Sequence, residues 1–166
     1  MELLKLIGIS GTMILASSLT VAFAEPMKEL AVYKGNLGKF SCDATETGSG
    51  KRFKATVETT AEFDGHTYVE RYVEMKSADH PSPWNGIFIM SYDSTANRWV
   101  RNGVDNSGER NAASSSGWNG DTWVWENDGA NIVVNKKGTA GFTFAIDVKE
   151  DGGGVKRVVE ANCKRL

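Results

Sequence analysis

Hydrophobic positions recur at every second residue along most of this chain. Over residues 52–63, Phe53, Ala55, Val57, Ala61 and Phe63 fall on one side and Lys54, Thr56, Glu58, Thr60 and Glu62 on the other. That is the period of a strand with one buried face. Asp64-Gly65 follows, a hairpin signal because glycine accepts the positive φ of a type I′ turn. Residues 67–76 carry Val69, Val73 and Met75 on one side and Tyr68, Glu70, Tyr72 and Glu74 on the other. Hydropathy makes the valine side the core and the Tyr–Glu side the outer face. Pro81 and Pro83 exclude a central strand over 77–86. Residues 87–92 are apolar at both parities, so both faces of that strand are expected to be covered.

The alternation continues to the end of the chain. Strands are predicted over 98–105, 109–118, 122–127, 131–137, 139–149 and 155–164, after a first one over 39–46. Turn chemistry separates them: Thr47-Gly48-Ser49-Gly50, Asn106-Ser107-Gly108, Asp128-Gly129 and Asp151-Gly152-Gly153-Gly154. Only residues 27–37 suggest a helix, with Met27, Leu30, Tyr33 and Leu37 at spacings of three and four before Gly38. Parallel strands would need crossovers of about a dozen residues or more, and the connections are shorter. The pattern therefore predicts an all-β fold: an antiparallel up-and-down meander closing into a β-barrel of about nine or ten strands, its mouth capped by one short N-terminal helix. A two-sheet sandwich is the alternative, but it calls for longer cross-connections than this chain offers outside 77–86.

The first 24 residues stand apart from this pattern. An apolar run follows Lys5 and ends at Ala22-Phe23-Ala24 before Glu25-Pro26, with the small residues a signal peptidase requires. A retained anchor would need about 20 strongly apolar residues, and Ser10, Gly11, Thr12, Ser17, Ser18 and Thr20 dilute this run. The expectation is a signal peptide over 1–24, cleaved near Ala24-Glu25, and one domain over 25–166 exported to the periplasm or secreted. No cysteine sits at the cleavage point, which argues against a lipoprotein.

Export changes the meaning of the cysteines. Cys42 and Cys163 are the only two, and an oxidising compartment makes a pair of thiols a disulfide. Cys42 shares a face with Phe40 and Ala44, and Cys163 with Val159 and Ala161, so both point to the apolar side of the first and last strands. A bridge between them requires those strands to meet, as they do when a sheet closes. Two buried free thiols are the alternative.

Charge and candidate chemistry mostly exclude. The formal net charge is −2, and Glu2 and Lys5 cancel in the leader, so the mature domain has no electrostatic footprint for nucleic acid. No basic amphipathic helix suits a membrane surface, and no membrane span is expected after cleavage. The two histidines, His66 and His80, lie far apart beside a turn and in the proline loop; they read as solvated loop residues, with haem ligation by His80 the distant alternative. No metal or cofactor is implied. Gly48-Ser49-Gly50-Lys51 lacks phosphate-loop spacing. Asp93-x-x-x-Asn97 and Asp105-Asn106-x-Gly108 are incomplete as calcium loops and serve turns instead. Ser114-Ser115-Ser116-Gly117 is no nucleophile elbow, and Glu70 with Glu74 reads as part of an outer face.

Three segments carry a resemblance. Glu29-Leu30 through Gly35 to Lys39-Phe40-Ser41-Cys42, then Tyr92-Asp93, Arg98-Trp99-Val100, Val104-Asp105-Asn106-x-Gly108 and Ser116-Gly117-Trp118-Asn119-Gly120-Asp121, and finally Glu160-Ala161-Asn162-Cys163-Lys164-Arg165 together resemble the DUF1579 family, a domain of unknown function grouped with lipocalin-like (calycin) barrels. Phe40 stands where that family's opening motif has Trp. The Gly-x-Trp-x-Gly-x-Gly opening of nitrobindin-type haem barrels is absent. The resemblance implies a lipocalin-like barrel and leaves the function open.

What remains is a pocket. Four of the five tryptophans lie between Trp99 and Trp125. If Trp99 points inward, so does Arg101, and a buried guanidinium then needs Asp105, Tyr92, Ser114, Ser116 or an anionic ligand. If Val100 and Val104 point inward, Trp99 and Arg101 lie outside. Parity leaves the choice open, as it does for Trp123 and Trp125 against Val124. The candidate ligand-binding residues are Tyr92, Trp99, Arg101, Ser114, Ser116 and Trp118. The functional expectation is a non-catalytic binding module for a small apolar or amphipathic molecule, monomeric or weakly homodimeric. The alternatives are a filled barrel with a structural or protein-contact role in the envelope, using the Tyr68/Tyr72 face, and an enzyme of undefined reaction.

Overall fold

The computed structural model describes residues 28–127, 131–138 and 140–166. The expected leader over 1–24, Met27 of the predicted helix and the predicted Asp128-Gly129 turn lie outside them. A 3-10 helix, Lys28–Asn36, leads into β1 (Gly38–Glu46), β2 (Arg52–Glu62), β3 (Thr67–Glu74), β4 (Asn85–Asp93), β5 (Arg98–Asp105) and β6 (Arg110–Ser115). The two-residue β7 (Trp118–Asn119) precedes β8 (Thr122–Asn127), β9 (Asn131–Lys137), β10 (Gly141–Lys149) and β11 (Val155–Arg165). Each strand lies antiparallel beside its sequence neighbour except at β6 and β7, which do not pair; β1 pairs with β11, and β6 pairs with β8 to close the circle. The result is the meander barrel of ten strands that the alternation and the short turns demand.

The β1–β11 seam brings Cys42 directly opposite Cys163, and the two are joined as a disulfide across a sequence separation of 121. Cross-linking so long a loop stabilises by about 4 kcal/mol in the chain-entropy account.

On β3 to β5 the barrel wall sorts its residues by size as much as by hydropathy, while smaller residues on the neighbouring strands, Cys42, Ala44, Ala55 and Ala161, also face inward. Inside lie Phe40, Phe53, Tyr68, Tyr72, Phe88, Met90, Trp99, Trp123, Trp125 and Phe144, all buried. Outside, on β3 to β5, are Val73, Ile87, Ile89 and Val104, which are about half exposed. Ten strands enclose a wide interior, and only long side chains reach its axis, while β-branched residues suit the outer pleat for their strand propensity alone.

Two expectations are corrected by this rule and two more by backbone conformation. The Tyr68–Glu70–Tyr72–Glu74 face of β3 points inward, and the Val73–Met75 face points outward. The outer face of β4 is open, with Ile87 47% and Ile89 53% exposed. Phe63 does not continue the inner face of β2: it is 78% exposed, flipped out where Phe63, Asp64 and Gly65 all adopt positive φ. The strand expected over 109–118 also breaks, at Gly117, whose φ of 90° favours glycine.

Candidate functional site

The barrel is filled at one end and hollow at the other. At the filled end the 3-10 helix lies across the mouth and drives Leu30 and Tyr33 into the interior. The Tyr33 ring meets those of Tyr68, Trp123 and Trp99 at centroid distances of 5.2, 5.3 and 5.5 Å. The Tyr68 hydroxyl donates to the Leu30 carbonyl at 2.7 Å, which fixes the helix to β3. Trp99, Trp118 and Trp123 stack edge to face around this plug, and Met90 and Ala113 complete it.

The parity question is settled here. Trp99 and Arg101 both point inward, at 2% and 8% exposure, and so do Trp123 and Trp125. Tyr92 flanks the plug, with its ring edge to face on Trp99 and its hydroxyl donating to Asn97 Oδ1 at 2.6 Å. Trp99 is registered opposite Ser115, which is buried and accepts the Gly117 N–H at 3.0 Å. Ser114 and Ser116 flank Ser115 at the opposite parity, Ser116 exposed.

Below the plug lies a cavity of about 360 Å³. Of the six candidate residues only Arg101 lines it; Tyr92, Trp99 and Trp118 belong to the filled end. Its apolar wall is Val57, Tyr72, Trp84, Phe88, Phe142 and Phe144. Its polar wall is Glu70, Glu74, Arg101 and the amides of Asn111, Asn127 and Asn135.

Arg101 finds its partner in Glu70, a residue the hydropathy of β3 places outside. Its Nη2 donates to Glu70 Oε1 at 3.0 Å. The guanidinium lies 3.6 Å from the Phe88 ring centroid, close enough for a cation–π contact. Glycine makes that stacking possible. Gly103 is registered opposite Phe88, and a Cβ on it would collide with the Ile87 carbonyl and the Phe88 ring. Phe88 therefore lies flat across the gap and offers its face to Arg101.

Glu74 is the second part-buried carboxylate. Its Oε2 accepts the backbone N–H of Trp84 at 2.6 Å and sits 2.7 Å from His80 Nε2; its Oε1 accepts the Tyr72 hydroxyl at 3.1 Å. His80 is thus no solvated loop residue: it is stacked on Phe53 at 4.6 Å, with its side chain 12% exposed. The proline loop folds back over the barrel end through this contact, bringing Trp84 into the cavity wall. Burial, and next the neighbouring Glu74 charge, push the Tyr72 hydroxyl far above its ordinary range. Burial and then Glu70 do the same to Tyr33.

No protein-family model matches the chain, and no curated protein matches it either. The site is therefore read from its own chemistry. Among the described residues no group of three or more His, Cys, Asp or Glu converges as metal ligands. The His80 ring pairs with Glu74, and Ser77 Oγ accepts the backbone N–H of His80, but among the described residues no serine, threonine or cysteine is hydrogen-bonded to the imidazole itself, as a triad would need. The arrangement is a hydrophobic slot with a few fixed polar groups, the usual make-up of a small-molecule site.

Sequence reasoning missed Glu70, Tyr72, Glu74, Trp84 and Phe88 as lining residues. A signal was present: tyrosines alternate with carboxylates over 68–74, which supplies long rings for a wide interior and partners for an inward arginine.

Proposed function

We propose that this chain is an exported, lipocalin-like binding protein that holds one small amphipathic molecule in the unfilled half of its barrel and performs no chemistry on it. One observation carries the reading: the interior is packed solid at the helix end and left hollow at the other, with aromatic rings on one wall and fixed polar groups on the other. A barrel that needed only stability would fill both halves. The export signal expected from the sequence, with the disulfide, supports the compartment of this reading, and the resemblance to the DUF1579 barrels supports its architecture.

A neutral fluorescent amphiphile, N-phenyl-1-naphthylamine, tests it. Trp84 and Trp125 line the cavity, so saturable probe fluorescence should rise together with quenching of tryptophan emission, at one probe per chain. Val159→Phe adds a ring to the lining and should abolish both signals. Probe uptake that never saturates, or that the variant leaves unchanged, rejects the proposal.

The protein-contact alternative loses its expected surface, because Tyr68 and Tyr72 point inward. Its remaining support is the Ile87, Ile89 and Val104 patch on the outer wall, which suits a second copy of this chain. Sedimentation settles it: a monomer at high concentration rejects self-association.

A further inference from the structure

The cavity is unevenly charged. Its lining includes four carboxylates, Glu70, Glu74, Asp105 and Glu109, and one cation, Arg101. The Arg101 charge is balanced by Glu70 at 3.0 Å and its guanidinium lies on the face of Phe88, although its Nε is buried without a hydrogen-bond partner among the described residues. Glu74, at the end of β3, is part-buried with its side chain 11% exposed, and is bonded by the Trp84 N–H and His80. Asp105 and Glu109 stand at the end of β5 and in the following turn, where the slot opens. Asp105 accepts the Ser107 N–H at 2.8 Å. Hydrogen bonds from Ser107 and the Trp84 indole hold its carboxyl below the ordinary range, which keeps it ionised. Glu109 is exposed. The Trp84 ring flanks this acidic opening, 5.4 Å from Tyr72 and 5.9 Å from Phe88.

We propose that the ligand's polar end is a cation, an alkyl- or arylammonium group seated between Asp105, Glu109 and the rings of Trp84 and Tyr72, with its apolar body directed toward Phe142 and Phe144. An anion entering the slot would meet three carboxylates against one lining cation, Arg101, whose charge Glu70 already balances. An ammonium gains Coulomb attraction from the same groups and cation–π attraction from the rings. This rests on the reading of the cavity as a ligand site.

The test is displacement of N-phenyl-1-naphthylamine from the protein by three molecules of equal chain length: octylammonium, octanol and octanoate. Octylammonium is expected to displace the probe at a concentration about tenfold below that of octanoate, with the advantage shrinking as salt is added. In Asp105→Asn/Glu109→Gln the advantage should fall to about threefold or less. Glu109→Gln alone, at an exposed position, should give part of that loss with an unchanged near-UV circular dichroism spectrum. Octanoate binding as well as octylammonium, or an advantage untouched in both variants, overturns the proposal. A probe displaced equally by all three overturns the charge assignment and leaves the cavity reading standing. A probe that never binds overturns both.

Discussion

Arg101 shows how far single residues could be read. Its inward direction was one of two parities that the sequence allows, and its need for a partner followed from the cost of a buried unpaired charge. The partner itself was hidden, because Glu70 alternates with tyrosines and hydropathy turns that face outward. The physical reason is the width of the barrel, which makes side-chain length outrank hydropathy on the inner face of β3. The pair predicts its own behaviour. Arg101→Met leaves Glu70 uncompensated, 18% exposed beside the Phe88 ring, and should cost about 3 kcal/mol. Arg101→Met/Glu70→Gln removes both charges and should recover at least half of that loss. Urea denaturation measures both. A single variant as stable as the parent protein would mean that the pair carries no buried charge.

Among the elements, the strands and the plugging helix were legible, because periods of two and of three or four survive in any packing. What escaped were the corners. The chain leaves β2 through three consecutive residues with positive φ, and the strand expected over 109–118 turns at Gly117, whose φ of 90° favours glycine. The helix type was not legible either: the spacing that suggests an α-helix is realised as a 3-10 helix over Lys28–Asn36, which includes Gly35, a poor helix former. Its anchor is Tyr33, buried among three rings, with its hydroxyl pushed far above the ordinary range, first by burial and then by Glu70. Tyr72 is raised in the same way, and Tyr68 by burial. A group whose pKa is raised in the folded state contributes stability fully below its unfolded value, here about 10, and loses it as pH rises beyond that. The barrel should therefore lose stability from about pH 10 upward. The phenolate absorbance of these tyrosines should appear together with the loss of near-UV circular dichroism. Phenolates forming in the intact protein would contradict the plug. Tyr33→Phe should weaken the alkaline loss at a cost near neutrality of about 1 kcal/mol.

For the whole molecule, closure was predictable and the place of weakest closure was not. The first and last strands meet over seven residue pairs, from Phe40–Arg165 to Glu46–Val159, and the disulfide staples them. The circle is completed at the far side by β6 and β8, which register only Ala113 with Asn127 and Ser114 with Glu126. A side-chain bond reinforces that join: Asn127 Nδ2 donates to Asn111 Oδ1 at 3.0 Å. Both amides line the cavity, so the weakest seam of the barrel is also a wall of its proposed binding site. Short ladders open locally at lower free energy than long ones. Amides of β6 and β8 should therefore exchange with solvent faster than those of β1 and β11, by about tenfold or more. An occupant of the cavity contacts both sides of the join and binds only the closed form, so it should slow exchange at β6 and β8 in proportion to its occupancy and leave the β1–β11 seam unchanged. Hydrogen–deuterium exchange with and without N-phenyl-1-naphthylamine reads this directly. Uniform protection around the barrel would place the probe on the outer wall, at the Ile87–Ile89 patch or elsewhere, instead of within.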